Sequence, residues 1–138
     1  MAVGIQLGSI IDEVGTDDFF HAFFSTIAAN LEPGGWGTRF PVIMKTFYAG
    51  SLTQPDAAAA LAELVTIRRE LSLLFPAKIV WDYEDRSKQP PWGNAIAKEI
   101  TNLSNYFVTS TGRDLFSSLQ EIFEELIQDG GVVTIVKL

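Results

Sequence analysis

The sequence predicts an α+β fold: one small mixed or antiparallel β-sheet of about three or more strands, with helices packed mainly on one face. Three observations lead there. Short β-prone stretches stand at both ends of the chain and once in its middle. Segments carrying a single apolar helical stripe separate them, and Gly/Pro punctuation falls between the two kinds of segment. With 138 residues, 47% hydrophobic and 20% charged, the balance is globular, and one domain over residues 1–138 is predicted.

In residues 2–9, Val3, Ile5 and Leu7 alternate with Gly4, Gln6 and Gly8, which is a half-buried strand able to run on through Ile10 and Ile11. Thr16 is placed to cap a helix over 17–31, with Asp17 and Asp18 in the turn where the dipole favours acids. Phe19, Phe20, Phe23, Phe24, Ile27 and Leu31 share one face of it, and Glu32-Pro33-Gly34-Gly35 stops it. After the turn Gly34-Gly35-Trp36-Gly37, Phe40-Pro41 opens a short helical stretch that Gly50 ends. Pro55 suits a helix start, and a long helix is predicted over 56–74, closed by Phe75-Pro76.

Residues 78–84 read as a strand, with Ile79, Trp81 and Tyr83 on one face and Val80, Asp82 and Glu84 on the other. The run Gln89-Pro90-Pro91-Trp92-Gly93 is a loop, since consecutive prolines withhold backbone donors. A helix from 94 into Asn102 and extended chain through Tyr106-Phe107-Val108 follow. The last helix, over 113–128, carries Leu115, Phe116, Leu119, Ile122, Phe123, Leu126 and Ile127 on one stripe. Gly130-Gly131 ends it, and 132–138 is a closing strand rich in β-branched residues. The first and last strands are both terminal and can lie together in the sheet centre.

Composition narrows the function. The net charge of −7 opposes nucleic-acid phosphates and favours encounter with a basic partner, although solubility accounts for the same sign. The absence of cysteine excludes disulfides and thiolate sites and suits a reducing cytoplasm. No signal-peptide pattern opens the chain and no apolar run approaches a membrane span, so neither export nor a membrane role is expected.

Few residues of the chain point to catalytic chemistry. His21, the sole histidine, lies at the polar boundary of its helix with no cysteine partner and no G-x-S-x-G serine elbow. A structural zinc site needs about four ligands, typically Cys or His, so that class is expected to be closed, and no phosphate-binding glycine motif is present. The best catalytic candidates are Asp82, Glu84 and Asp85, because period-two spacing puts Asp82 and Glu84 on one strand face. No further ligand set accompanies them, so a solvated or partner-facing acidic edge without metal or cofactor is the expectation. Asp114, Glu121 and Glu125 run along one side of the last helix, with Glu124 and Asp129 close by. Arg68 projects into an apolar stripe, where it snorkels or meets a carboxylate. Trp36 and Trp92 stand in Gly/Pro-bounded loops, either as interface anchors or folded back as lids over the core.

Several blocks resemble the bacterial immunity protein 70 family. They are Phe19-Phe20-His21-Ala22-Phe23-Phe24-Ser25-Thr26-Ile27, Gly35-Trp36-Gly37-Thr38-Arg39-Phe40-Pro41, Val80-Trp81-Asp82-Tyr83-Glu84-Asp85, Pro90-Pro91-Trp92-Gly93 and Thr101-Asn102-Leu103-Ser104-Asn105-Tyr106-Phe107-Val108-Thr109. The resemblance implies a protein that binds and blocks the C-terminal toxin domain of a polymorphic toxin system. It carries over no contact residues. The expected partner-binding set therefore rests on acidity and loop aromatics: Asp82, Glu84, Asp85, Trp92, Trp36, Asp114, Glu121 and Glu125. Two alternatives stand beside this reading, a small carboxylate-dependent enzyme using Asp82 and Glu84, and an oligomeric adaptor; no pattern indicates a homo-oligomer.

Overall fold

A computed structural model describes all residues, 1–138. Strands β1 (Ala2–Leu7) and β2 (Ile10–Thr16) form a hairpin, followed by helix α1 (Asp17–Leu31). A π-helical segment (Val42–Phe47), the three-residue strand β3 (Ser51–Thr53) and helix α2 (Gln54–Leu71) come next. Helix α3 (Leu115–Asp129) and strand β4 (Val132–Lys137) close the chain. The sheet is antiparallel in the order β2-β1-β4-β3, so the first and last predicted strands do pair at its centre. Gly4 is required there. A Cβ on it would lie 3.0 Å from the Asp12 carbonyl oxygen and 3.1 Å from the Ile11 side chain.

The core is built as the periodicities dictate. Val3, Ile5, Val14, Leu52 and Val133 are buried on one sheet face, while Gln6, paired with Ile11 and Thr134, lies on the other. Phe23 meets Phe107 and Phe116 edge-on at 5.3 and 5.1 Å, and Phe47 meets Phe123 at 5.3 Å. Each such pair adds about 0.5–1.5 kcal/mol beyond area burial. The Thr16 hydroxyl accepts from the Phe19 N–H, the expected cap of α1. No helix is long and apolar enough to cross a membrane.

Three expectations are corrected. Residues 78–84 are not a strand: Pro76–Lys78 is a 3₁₀ turn and the rest is irregular. The alternation is real, since Trp81 is buried and Ile79 and Tyr83 pack against the core. The hydrogen bonds, however, come from α1 side chains. Thr26 Oγ1 both donates to the Val80 carbonyl and accepts its N–H, Ser25 Oγ accepts the Tyr83 N–H, and Asn30 donates to the Lys78 carbonyl. A helix's polar side chains thus take the place of a neighbouring strand. Residues 94–102 form turns rather than a helix. Asn105 Oδ1 accepts the N–H groups of Thr101 and Asn102, and Asn102 Oδ1 accepts that of Ser104, so side chains outcompete the helical ladder. The first strand does not run on through Ile10 and Ile11: the chain turns at Gly8-Ser9, where Gly8 takes φ +61°, and those residues start the returning strand β2. Neither β2 nor the short β3 has a counterpart in the sequence reading, and α2 ends at Leu71 rather than 74.

A turn built around Glu32 seats Trp36. Glu32, 2% exposed, directs its carboxylate back into the chain and accepts the N–H groups of Gly37, Arg39 and Phe40, each at 3.0 Å. Gly37 has φ +76°, and a Cβ there would overlap the Lys45 stem at 2.5 Å.

Candidate functional site

Two groups of polar side chains stand out. The first gathers on α1 where the 79–88 loop docks. The bonds from Ser25, Thr26 and Asn30 hold that loop against the helix and bring its acids over His21. His21 Nδ1 lies 2.7 Å from the Tyr48 hydroxyl, and Nε2 lies 2.8 Å from Glu84 Oε2 and 3.5 Å from Asp82 Oδ1. A neutral ring with its proton on Nε2 satisfies this set, donating to Glu84 while Nδ1 accepts from Tyr48. The imidazole stacks on Trp36 at 5.9 Å and 21°, and Trp36 donates its indole N–H to the Met44 carbonyl at 2.7 Å.

Asp82 is the most engaged acid of the loop. Hydrogen bonding with the Glu84 side chain, then the Glu84 backbone N–H and the Lys88 ammonium, lowers its pKa to about 2 against the opposing effect of desolvation. Lys88 Nζ sits 3.3 Å from Oδ2, the oxygen turned away from His21. Asp85 is exposed and accepts the Ser87 N–H, and its pKa is likewise lowered, chiefly by Ser87. Burial raises the Tyr48 phenol, with the Glu84 and Asp82 charges adding to it.

The second group lies on α3. Glu121, Glu125 and Asp129 recur every four residues on its exposed side with Glu124 beside them. Arg113 neutralises the start of the row by pairing with Glu121 at 2.6 Å. Glu124, Glu125 and Asp129 have no salt-bridge partner, and the last turn of α3 holds no basic residue. Glu125 and Asp129 line a shallow cavity with the β1–β2 turn and Ile10, which is 56% exposed.

The structure separates the residues that sequence reasoning grouped. Asp114 does not continue the stripe: it caps α3, accepting the Ser117 N–H at 3.1 Å and Arg68 at 3.0 Å. Arg68 thereby meets a carboxylate. Trp36 is folded inward beneath His21. Trp92 leans edge-on against Trp81 at 5.3 Å and donates to the Tyr106 hydroxyl, walling an apolar groove with Phe19, Ile96 and Val108. Sequence reasoning missed the meeting of His21 with Asp82 and Glu84. Its only signals were a histidine at a helix boundary and two acids in period two.

The family model of immunity protein 70 matches residues 5–135. No match is found among curated proteins or among solved structures. A match running from within the first strand into the last reaches every element described above, and the chain belongs to the immunity protein 70 family.

Proposed function

We propose that this chain neutralises a cognate toxin domain by binding it in a stoichiometric complex, as a cytoplasmic single-domain inhibitor with no reaction of its own. Family membership supports the immunity role. The observation that carries the mode of binding is the row of acids on α3, of which only Glu121 has a cation partner. Glu121/Glu125 and Glu125/Asp129 are like-charged pairs four residues apart, and Asp129 sits at the negative end of the helix dipole. Folding alone gains nothing from this arrangement. A basic toxin surface relieves it, and the exposed Ile10 beside the acids supplies an apolar contact within a charged rim.

The alternative of a carboxylate enzyme gains His21 as a third group but lacks a substrate cleft. None of the five cavities is lined by His21, Asp82 or Glu84. The test is association kinetics against the cognate toxin domain, at two salt concentrations. Reversing Glu124, Glu125 and Asp129 to lysine slows association by about tenfold or more and flattens its salt dependence. Ile10→Ala acts mainly on dissociation. Unchanged association and salt slope in the triple reversal would place the interface elsewhere.

A further inference from the structure

From the convergence of one imidazole and two carboxylates on the docked loop, we infer that His21, Asp82 and Glu84 form a site for a single divalent transition-metal ion of the zinc type. Their donor atoms lie within 4.8 Å of one another. A tetrahedral ion with bonds near 2.0–2.1 Å holds its ligand atoms about 3.3 Å apart. The separations from Nε2, 2.8 Å to Glu84 and 3.5 Å to Asp82, bracket that value. Glu84, with its side chain 66% exposed, is free to make the small adjustment. One nitrogen and two oxygens suit zinc, cobalt or nickel; magnesium and calcium favour all-oxygen shells.

A second observation, outside the carboxylates, points the same way. The far nitrogen of His21 is bonded to the Tyr48 hydroxyl and the ring is stacked on Trp36, so Nε2 is aimed at the acids before any ion arrives. That is how ligating histidines are commonly oriented. On binding, Nε2 offers its lone pair, the ring proton resides on Nδ1, and Nδ1–H donates to the Tyr48 oxygen. Lys88 contacts only Asp82 Oδ2. Oδ1 accepts the Glu84 N–H at 3.0 Å and keeps its other lone pair for the ion. The Lys88 side chain is 58% exposed and able to move away. Water completes the shell. With no cavity over it, the ion works as a clip that fastens the 79–88 loop to α1. This inference does not depend on the proposed toxin complex.

The experiment is calorimetric titration of the full chain with Zn²⁺, paired with the visible absorption of Co²⁺ and with thermal unfolding. One ion per chain at micromolar Kd, a tetrahedral Co²⁺ band, and a Tm raised by roughly 10 °C at a hundredfold excess over Kd are expected. His21→Ala and Glu84→Gln abolish the band, Tyr48→Phe weakens binding about tenfold to a hundredfold, and Asp85→Asn leaves it unchanged. Glu84 is exposed, so its variant reports even where His21→Ala folds poorly. Absence of micromolar binding, or binding that Glu84→Gln leaves intact, would overturn the site.

Discussion

The acids of the 79–88 loop and those of α3 look alike in the sequence and differ in the fold. Asp82 is answered by Lys88, a backbone N–H and His21, and Glu84 by the same imidazole. Glu124, Glu125 and Asp129 have no cation within reach. The first group is compensated inside the molecule and fastens a loop; the second leaves its charge to be met from outside. Clustered acidity by itself therefore says nothing about where a partner binds. The partners of each carboxylate do, and substitution should separate the two kinds by the sign of its effect on stability.

The largest effect is expected at the most compensated acid. Glu32→Ala leaves the N–H groups of Gly37, Arg39 and Phe40 without their acceptor, two of them on buried residues. At about 1–3 kcal/mol for each orphaned donor, a loss of ~3 kcal/mol or more is expected by chemical denaturation. Glu32→Gln, keeping one acceptor oxygen, should lose less. A loss below about 1 kcal/mol would mean that water replaces the carboxylate and that compensation counts for little here.

Asp114 comes next. The sequence sets it in the acidic stripe, whereas the fold uses it as a cap. Asp114→Ala removes the acceptor of the Ser117 N–H and the partner of Arg68, and a loss of about 1–2 kcal/mol is expected. Asp114→Asn should restore most of the cap while losing the ion pair. A stabilising Asp114→Ala would return this residue to the uncompensated class.

On α2 the same contrast appears as opposed titrations. Glu70, hydrogen-bonded to Arg39, is lowered, whereas burial raises Glu63 despite the Val42 and Ile43 N–H groups it accepts. The signs then follow. Glu70 contributes stability above its unfolded pKa, and that contribution fades as pH falls through its lower folded value. Glu63 favours folding most below its unfolded pKa, and that contribution is lost as pH rises through its higher folded value. Carboxyl-detected NMR titration should place Glu63 above and Glu70 below about 4.3; the reverse order would contradict the geometry.

What the sequence made legible follows from how local each signal is. The phenylalanine stripe and Thr16 cap of α1, the alternating first strand and the β-branched last strand are written in neighbouring residues and are legible, whereas the hairpin to β2 is not. Strand β3 is three residues long and exists only because β4 passes beside it. The alternation of Ile79, Trp81 and Tyr83 correctly separated inward from outward side chains. It misled about backbone structure because the partners are the hydroxyls of Ser25 and Thr26, which no periodicity reveals. His21 and Glu84 are 63 residues apart, so their pairing is a product of tertiary docking. The α3 stripe was legible by spacing alone, yet its meaning depended on which acids lacked cations, a property of the folded surface.

The smallest expected effect is also the one of opposite sign. Asp129 is the last residue of α3, where the unsatisfied carbonyls carry the negative end of the dipole, and Glu125 lies one turn before it on the same side. Each like-charged pair four residues apart costs about 0.2–0.5 kcal/mol, and an acid at the helix C-terminus about 0.3–1 kcal/mol at low salt. The neighbouring carbonyl of Ile127 accepts from the Gln54 side chain, and the Gly130 N–H bonds to the Leu126 carbonyl, so the helix end itself is well made. Neutralising the acid should leave that cap in place. Asp129→Asn and Glu125→Gln are therefore expected to raise stability by about 0.3–1 kcal/mol each, an effect that shrinks as salt is added. Denaturant midpoints at low and high ionic strength measure both. The same two variants should associate more slowly with the toxin domain, so that stability and binding move in opposite directions. Should neutralisation destabilise the chain, these acids have internal partners after all, and the distinction between the two regions fails.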